Sequence, residues 1–166
     1  VDFSISEQEG ELVAYFEEQD KLLIMYNDGT YITYKVDEDT DVLEVGADIA
    51  YMGKWDAQQV YTVVYTNGSE EVLYGKRFKV TTQTDEKYYH FIPDYEDTQL
   101  HFLSTKKDPS VEIVLVSAKG ASEDPLVVKL DELGFPEKKL SAMGARIATR
   151  TAKSVKQVED SQLSLL

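Results

Sequence analysis

The stretch "DKLLIMYNDGTYITYKV" (residues 20–36) is an apolar run, then Asn-Asp-Gly, then an alternating run. Residues rich in β-branched and aromatic side chains on both sides of Asn/Asp-Gly form a strong short-range β-hairpin signal, because a tight type I′ turn needs φ > 0 and glycine supplies it without steric cost. The same form returns in "QVYTVVYTNGSEEVLYGKRFKV" (59–80) around Asn67-Gly68 and in "VEIVLVSAKGASEDPLVVKL" (111–130) around Lys119-Gly120. The turn glycines Gly29, Gly68 and Gly120 lie 39 and 52 residues apart. Such a period fits one antiparallel unit of about four strands per repeat.

Between the hairpins lie further strand-like segments at 42–56, 87–94 and 99–105, and after the third hairpin at Arg146–Thr149 and Ser154–Val158. "SEQEGELVAYFEEQDK" (6–21) is weakened as a helix by Gly10 and its β-branched neighbours. One hairpin buries too little apolar surface to stand alone, whereas several stacked together do not have that problem. The expected fold is all-β, an array of antiparallel, propeller-like blades, three to four in number, in an open or partial ring. Residues 1–10 are expected to be a lead-in, 11–57, 58–108 and 109–159 the repeats, and 160–166 a tail.

Composition agrees with a packed β domain. Of 166 residues, 42% are hydrophobic and 29% charged, with 17 Val and 11 Tyr. No apolar run reaches the roughly 18 residues of a membrane-spanning helix. Val1–Gly10 has neither a basic nor an apolar stretch, so no signal peptide is expected, and the missing initiator Met points to a piece of a longer chain. Cysteine is absent, which removes disulfides, thiolate nucleophiles and Cys-based zinc sites.

Little points to independent catalysis. His90 and His101 are the two histidines, each in an aromatic strand-like segment that favours packing over ligation. "DEDTD" (37–41) opens like a calcium loop, but Val42 stands where that loop needs Gly and Asp48 where it needs Glu. Carboxylates are abundant and no pair is singled out for hydrolysis. No Gly-x-Ser-x-Gly elbow, phosphate-binding loop or dinucleotide fingerprint occurs. No metal and no cofactor is expected.

Charge is the informative feature. The chain has a formal net charge of −14, yet residues 1–70 hold 16 acidic and 3 basic side chains, and residues 71–166 hold 15 and 14. "GKRFKV" (75–80) concentrates Lys76, Arg77 and Lys79, and Lys138, Lys139, Arg146, Arg150, Lys153 and Lys156 form a run with no acidic residue among them. Strand alternation sends Lys76 and Phe78 to one face and Arg77 and Lys79 to the other. Two cations on one face lie about 6–7 Å apart, a loose match to the ~7 Å spacing of successive phosphates on a strand. The alternative is an edge strand kept soluble by charge. Two basic segments on neighbouring repeats can form one stripe along a rim, and these nine residues are the candidate DNA contacts.

The segments "ELVAYFEEQDKLLIMYNDGTYITYKV", "VYTVVYTNGSEEVLYGKRFKVT", "LVVKLDEL" and "LSAMGARIATR", in that order and spacing, resemble the C-terminal β-pinwheel domain of the A subunit of bacterial type IIA topoisomerases (gyrase and topoisomerase IV), in the variant seen in Bacteroidetes. Lys76-Arg77-Phe78 is similar to that group's hairpin ending, and "GARIATR" (144–150) to its Gly-x-x-(apolar)-x-Thr-(Lys/Arg) strand. The resemblance implies a module that binds and bends double-stranded DNA and presents it to a catalytic core elsewhere in an ATP-dependent type II enzyme. The implied partners are DNA, the rest of the A subunit and the ATPase subunit; the implied location is the cytoplasm, at the nucleoid. None of the 11 tyrosines here inherits the catalytic role. The Gln-Arg-Arg-Gly-Gly-Lys-Gly stretch of gyrase-type wrapping is absent. The competing reading is an acidic β-repeat that docks on a basic partner or restrains DNA binding.

Overall fold

The computed structural model describes residues 2–4, 12–36, 42–68, 72–81, 84–93, 97–106, 109–115, 126–129, 137–140, 142–148 and 152–157. All regular structure among them is β. The first hairpin joins β3 (Lys21–Tyr26) to β4 (Thr30–Lys35), the second β6 (Val60–Asn67) to β7 (Val72–Lys79), and the third β10 (Ser110–Leu115) to β11 (Leu126–Lys129). The first two hairpins form the middle of their antiparallel sheets, and the third forms one side of a three-stranded sheet. A later strand pairs back on the first strand of each hairpin: β5 (Ile49–Lys54) on β3, β9 (Gln99–Ser104) on β6, and β13 (Ala152–Gln157) on β10. An additional two-stranded sheet, β1 (Asp2–Ser4) with β2 (Leu12–Tyr15), begins inside the stretch expected to be a lead-in.

Two strands leave their own repeat. β8 (Tyr89–His90) follows the second hairpin but pairs with β4 of the first sheet, Tyr89 opposite Tyr31 and His90 opposite Thr30. β12 (Ala145–Ala148) follows the third hairpin but pairs with β7 of the second, Ala145 opposite Gly75 and Arg146 opposite Tyr74. The sheet orders are therefore β5-β3-β4-β8, β12-β7-β6-β9 and β11-β10-β13. Backbone bonds extend the first exchange along β4: the Glu86 amide donates to the Thr33 carbonyl at 2.8 Å and the Phe91 amide to the Gly29 carbonyl at 2.8 Å. In each case the exchanged strand satisfies the outer edge of the preceding hairpin.

Alternation then stacks the sheets. Leu23, Met25 and Tyr31 of the first sheet meet Tyr61, Val63, Tyr65 and Phe78 of the second in one buried cluster. Val64 and Leu73, on the opposite face of the second sheet, meet Val111, Ile113 and Ala152 of the third. The outward face of the first sheet is covered by Phe16, Leu43 and Val45. Strand β6, covered on both faces, is buried from Tyr61 to Asn67, which explains its near-continuous apolar and Thr sequence. A chain of aromatic rings crosses the seam between the first two sheets, with centroids 5.6 Å apart for Tyr51–Tyr61, 5.8 Å for Tyr61–Phe78 and 5.7 Å for Phe78–Phe91. Each such pair adds about 0.5–1.5 kcal/mol beyond its buried area. The Trp55 indole donates to the Val80 carbonyl at 2.8 Å across the same seam.

The turns differ from the expected type I′. In the first, the Gly29 amide donates to the Tyr26 carbonyl at 3.0 Å and φ is positive (+90°) at Gly29 but not at Asn27 or Asp28. That is a type I turn closed by a left-handed glycine, the geometry of a three-residue hairpin loop. Asp28 reinforces it by accepting from the Thr30 amide at 3.0 Å. In the second hairpin Asn67 is the last residue of β6 and faces Val72, so the connection is residues 68–71 rather than an Asn67-Gly68 turn. Lys119-Gly120 and the acid run 37–41 lie outside the described residues.

Gly144 admits the second exchanged strand. Its φ is +96°, and a Cβ there would stand 2.3 Å from the Gly75 carbonyl oxygen and 2.9 Å from Lys76 Cβ. Gly144→Ala is expected to destabilise the domain by about 2–4 kcal/mol, combining left-handed strain with a backbone clash. Urea unfolding of the variant checks this; an unchanged midpoint would contradict the close approach.

Candidate nucleic-acid interface

The candidate cations of β7 separate by strand parity. Val72, Tyr74, Lys76 and Phe78 point toward the first sheet, and Arg77 and Lys79 point the other way. Lys76 is 1% exposed. Its ammonium donates to the carbonyl of Phe91 at 2.7 Å and to that of Leu140, and sits 5.3 Å from the centroid of the Phe78 ring. This corrects the expectation that Lys76 stands on an outer rim: the alternation places it beside Phe78, but that face is the packed one, and a phosphate cannot reach it. Burial pushes its pKa down to about 8.

Lys79 is half-buried and lies 3.5 Å from the Glu137 carboxylate. Glu137 forms a parallel bridge with Arg77, and the Lys138 amide donates to the Arg77 carbonyl at 2.8 Å. These bonds lay residues 137–140 along the end of β7 and carry the exposed Lys138 and Lys139 to Lys79. Lys79, Lys138 and Lys139 line one groove of about 900 Å³, with Tyr89 and His90 of the first exchanged strand on the opposite wall and Glu137 within it.

The other expected contacts lie elsewhere. Arg146 is exposed on β12, and its register opposite Tyr74 puts it on the face of the second sheet away from Arg77 and Lys79. Lys153 and Lys156 are exposed on β13 in the third sheet, with Lys156 opposite Glu112. Arg150 lies outside the described residues. The structure thus gathers Lys79, Lys138 and Lys139, and leaves Arg146, Lys153 and Lys156 out of that groove.

Sequence reading missed Tyr89, His90 and Glu137 as groove residues. His90 stood out only as a possible ligand, and what brings it to the lysines is strand exchange. His101 instead is half-buried, 2.6 Å from the Thr66 hydroxyl, and burial lowers its pKa. Among the described residues no group of three or more His, Asp or Glu is placed to hold a metal ion, and no helix is long and apolar enough to cross a membrane. A second groove, of about 430 Å³, is lined by Tyr26, Asp28, Glu44 and Tyr88.

Over residues 5–160 the chain matches the family described as the topoisomerase C-terminal domain of Bacteroidota. It belongs to that family. No curated protein matches the chain. The topoisomerase C-terminal domain seen here is all-β, built of antiparallel blade-like sheets, and is part of a topoisomerase. Its prominent groove offers cations, a histidine and an aromatic wall.

The buried lysine of this topoisomerase domain has a measurable signature. An unfolded lysine keeps its proton to about pH 10.5, whereas folded Lys76 releases it near 8, so the unfolded state binds more protons between those values and stability rises with pH. From pH 8 to 9.5 the gain is expected to be about 1.5 kcal/mol, at roughly 1.4 kcal/mol per pK unit. Burial raises Tyr26 to about 12 and raises Tyr31 and Tyr61 further in the folded state alone, so tyrosines of the unfolded chain, which ionise near pH 10, begin to oppose the gain at the top of this window. Urea unfolding across this window measures the slope, and Lys76→Met is expected to abolish it.

Proposed function

We propose that this domain is an accessory DNA-binding element of a type II topoisomerase A subunit, holding duplex DNA by its phosphates and presenting it to a catalytic core elsewhere. The observation that carries the reading is the convergence of Lys79, Lys138 and Lys139, distant in sequence, on one open groove. Ammonium groups on a groove wall meet phosphate oxygens rather than base edges, so binding is independent of sequence. Arg146, Arg150, Lys153 and Lys156 are proposed as further contacts for DNA that bends across the third sheet; Arg77 is proposed to act at the groove's end. The repeats proposed at 11–57, 58–108 and 109–159 would each complete the sheet of the one before. The remainder of the A subunit and the ATPase subunit of an ATP-dependent enzyme are the proposed partners, in the cytoplasm at the nucleoid.

The three groove contacts alone contribute about −3 to the slope of log K against log[salt], at about 0.9 per contact, and the further proposed contacts steepen it. Reversing charge at Lys79, Lys138 and Lys139 together is expected to weaken binding to a mixed-sequence duplex about 100-fold at low salt and flatten the slope. Fluorescence anisotropy across a salt series reads both quantities. Unchanged affinity in the triple variant would refute the groove as the binding surface.

The acidic first half, with Asp28 and Glu44 at the second groove, supports a subordinate reading as a brake on DNA binding. Under it, Asp28→Asn with Glu44→Gln would raise DNA affinity more than about tenfold; a smaller change leaves the acidity a bystander.

A further inference from the structure

The groove's two walls come from chain segments that share no strand pairing. One is residues 89–93, which begin as β8 of the first sheet and run on from it; the other is residues 137–140, on its way to β12. Each wall has an outer backbone anchor, the Phe91 amide on the Gly29 carbonyl and the Lys138 amide on the Arg77 carbonyl, both at 2.8 Å. Between the walls stands one group that bonds to both: the Lys76 ammonium, with the Phe91 carbonyl on one side and the Leu140 carbonyl on the other. It reaches them from inside the protein, along the seam where Phe78 and Phe91 stack.

We propose that Lys76 is a positioning residue for DNA binding, a clasp that fixes the separation of the two groove walls and so aligns Lys138 and Lys139 with Lys79 without touching DNA. The inference rests on the DNA-binding reading of the groove. Its geometry is independent of that reading. Only a side chain long enough to leave β7 and carry two or more N–H donors bonds both carbonyls at once. Lysine meets the requirement in either protonation state: the ammonium has three N–H groups and the neutral amine has two, which equals the number of carbonyls. The clasp therefore survives the loss of the proton. A lysine that contacted phosphate directly would lose its effect with the proton.

The test is a double-mutant cycle on the full 166-residue chain, with Lys76→Met, Lys138→Gln/Lys139→Gln, and the combination, read by duplex DNA anisotropy against salt. Lys76→Met is expected to reduce the magnitude of the salt slope by about 2, as if two phosphate contacts were lost, and the Lys138/Lys139 changes are expected to add nothing further in its background. Hydrogen exchange gives a readout that needs no DNA. The Phe91 and Lys138 amides should exchange at least about tenfold faster in Lys76→Met, while the Leu23 and Val63 amides change only with global stability. An unaltered slope, or additive losses in the cycle, overturns the proposal. Localised faster exchange in a wild-type chain that shows no salt-dependent binding would keep the clasp and refute the DNA reading. Should Lys76→Met fail to fold, Lys76→Gln, which keeps two N–H donors on a shorter stem, is read in the same way. Failure of both to fold makes Lys76 a determinant of the whole fold and overturns the local role.

Discussion

The hydrogen-bonding edge of each hairpin is the constraint from which the architecture follows. A two-stranded hairpin presents unpaired N–H and C=O groups along both outer strands, and those must be satisfied by more chain or by water. On one side a later strand of the same repeat folds back, as β5 does on β3 and β9 on β6. On the other side the partner comes from beyond the following hairpin, as β8 does on β4 and β12 on β7. A repeat is thus incomplete without its successor. The crossing segments run through the seams between sheets, so the same stretches that complete the hydrogen bonding also carry Phe91 and Ile92 into the core and Tyr89, His90, Lys138 and Lys139 to a groove.

Charge is distributed according to the same plan. Among the described residues of the acidic first half, Lys21 pairs with Asp85 at 3.2 Å and Lys54 with Asp20 at 3.1 Å. Exposed pairs of this kind contribute little energy, but they leave few cations there to attract a polyanion. Asp85 also accepts from the Thr33 hydroxyl at 3.1 Å, so the Lys21 pair marks where the first exchanged segment meets the first sheet. Lysines gather at the second seam instead, and one of them is taken inside. Burying an ammonium is unfavourable by several kcal/mol unless it is well bonded. A methionine of similar shape would escape that penalty while leaving two buried carbonyls without donors.

The hairpins were legible from the sequence because their signals are local: β-branched runs around Asn/Asp-Gly, with alternation on each side. The connecting strands β5, β9, β12 and β13 fell within or beside the segments expected to be extended. What could not be read was which sheet each strand joins, since a strand such as Tyr89–His90 has the same alternation whichever edge it meets. Parity predicted that Lys76 shares a face with Phe78 and not with Arg77, and the structure agrees. It gave no sign that this face is packed, because a lysine inside a core is the exception to the pattern used to find cores. The turns were misjudged for a smaller reason. Asn-Asp-Gly and Asn-Gly indicate a turn, but register alone decides whether two, three or four residues make it, and register belongs to both strands at once.

Strand exchange also fixes an order of events during synthesis. A chain emerging from its N-terminus cannot finish the first sheet when the first hairpin and β5 are out; it must wait for Tyr89–His90. The second sheet waits for Ala145–Ala148, some seventy residues after the close of its hairpin at Val72. The first two hairpins therefore each spend an interval with one edge exposed, and the first lies in a stretch, residues 1–70, with 16 acidic and 3 basic side chains. Like charge on neighbouring nascent chains disfavours edge-to-edge association during that interval. The acidity of residues 1–70 thus protects the first hairpin while its outer edge waits for β8.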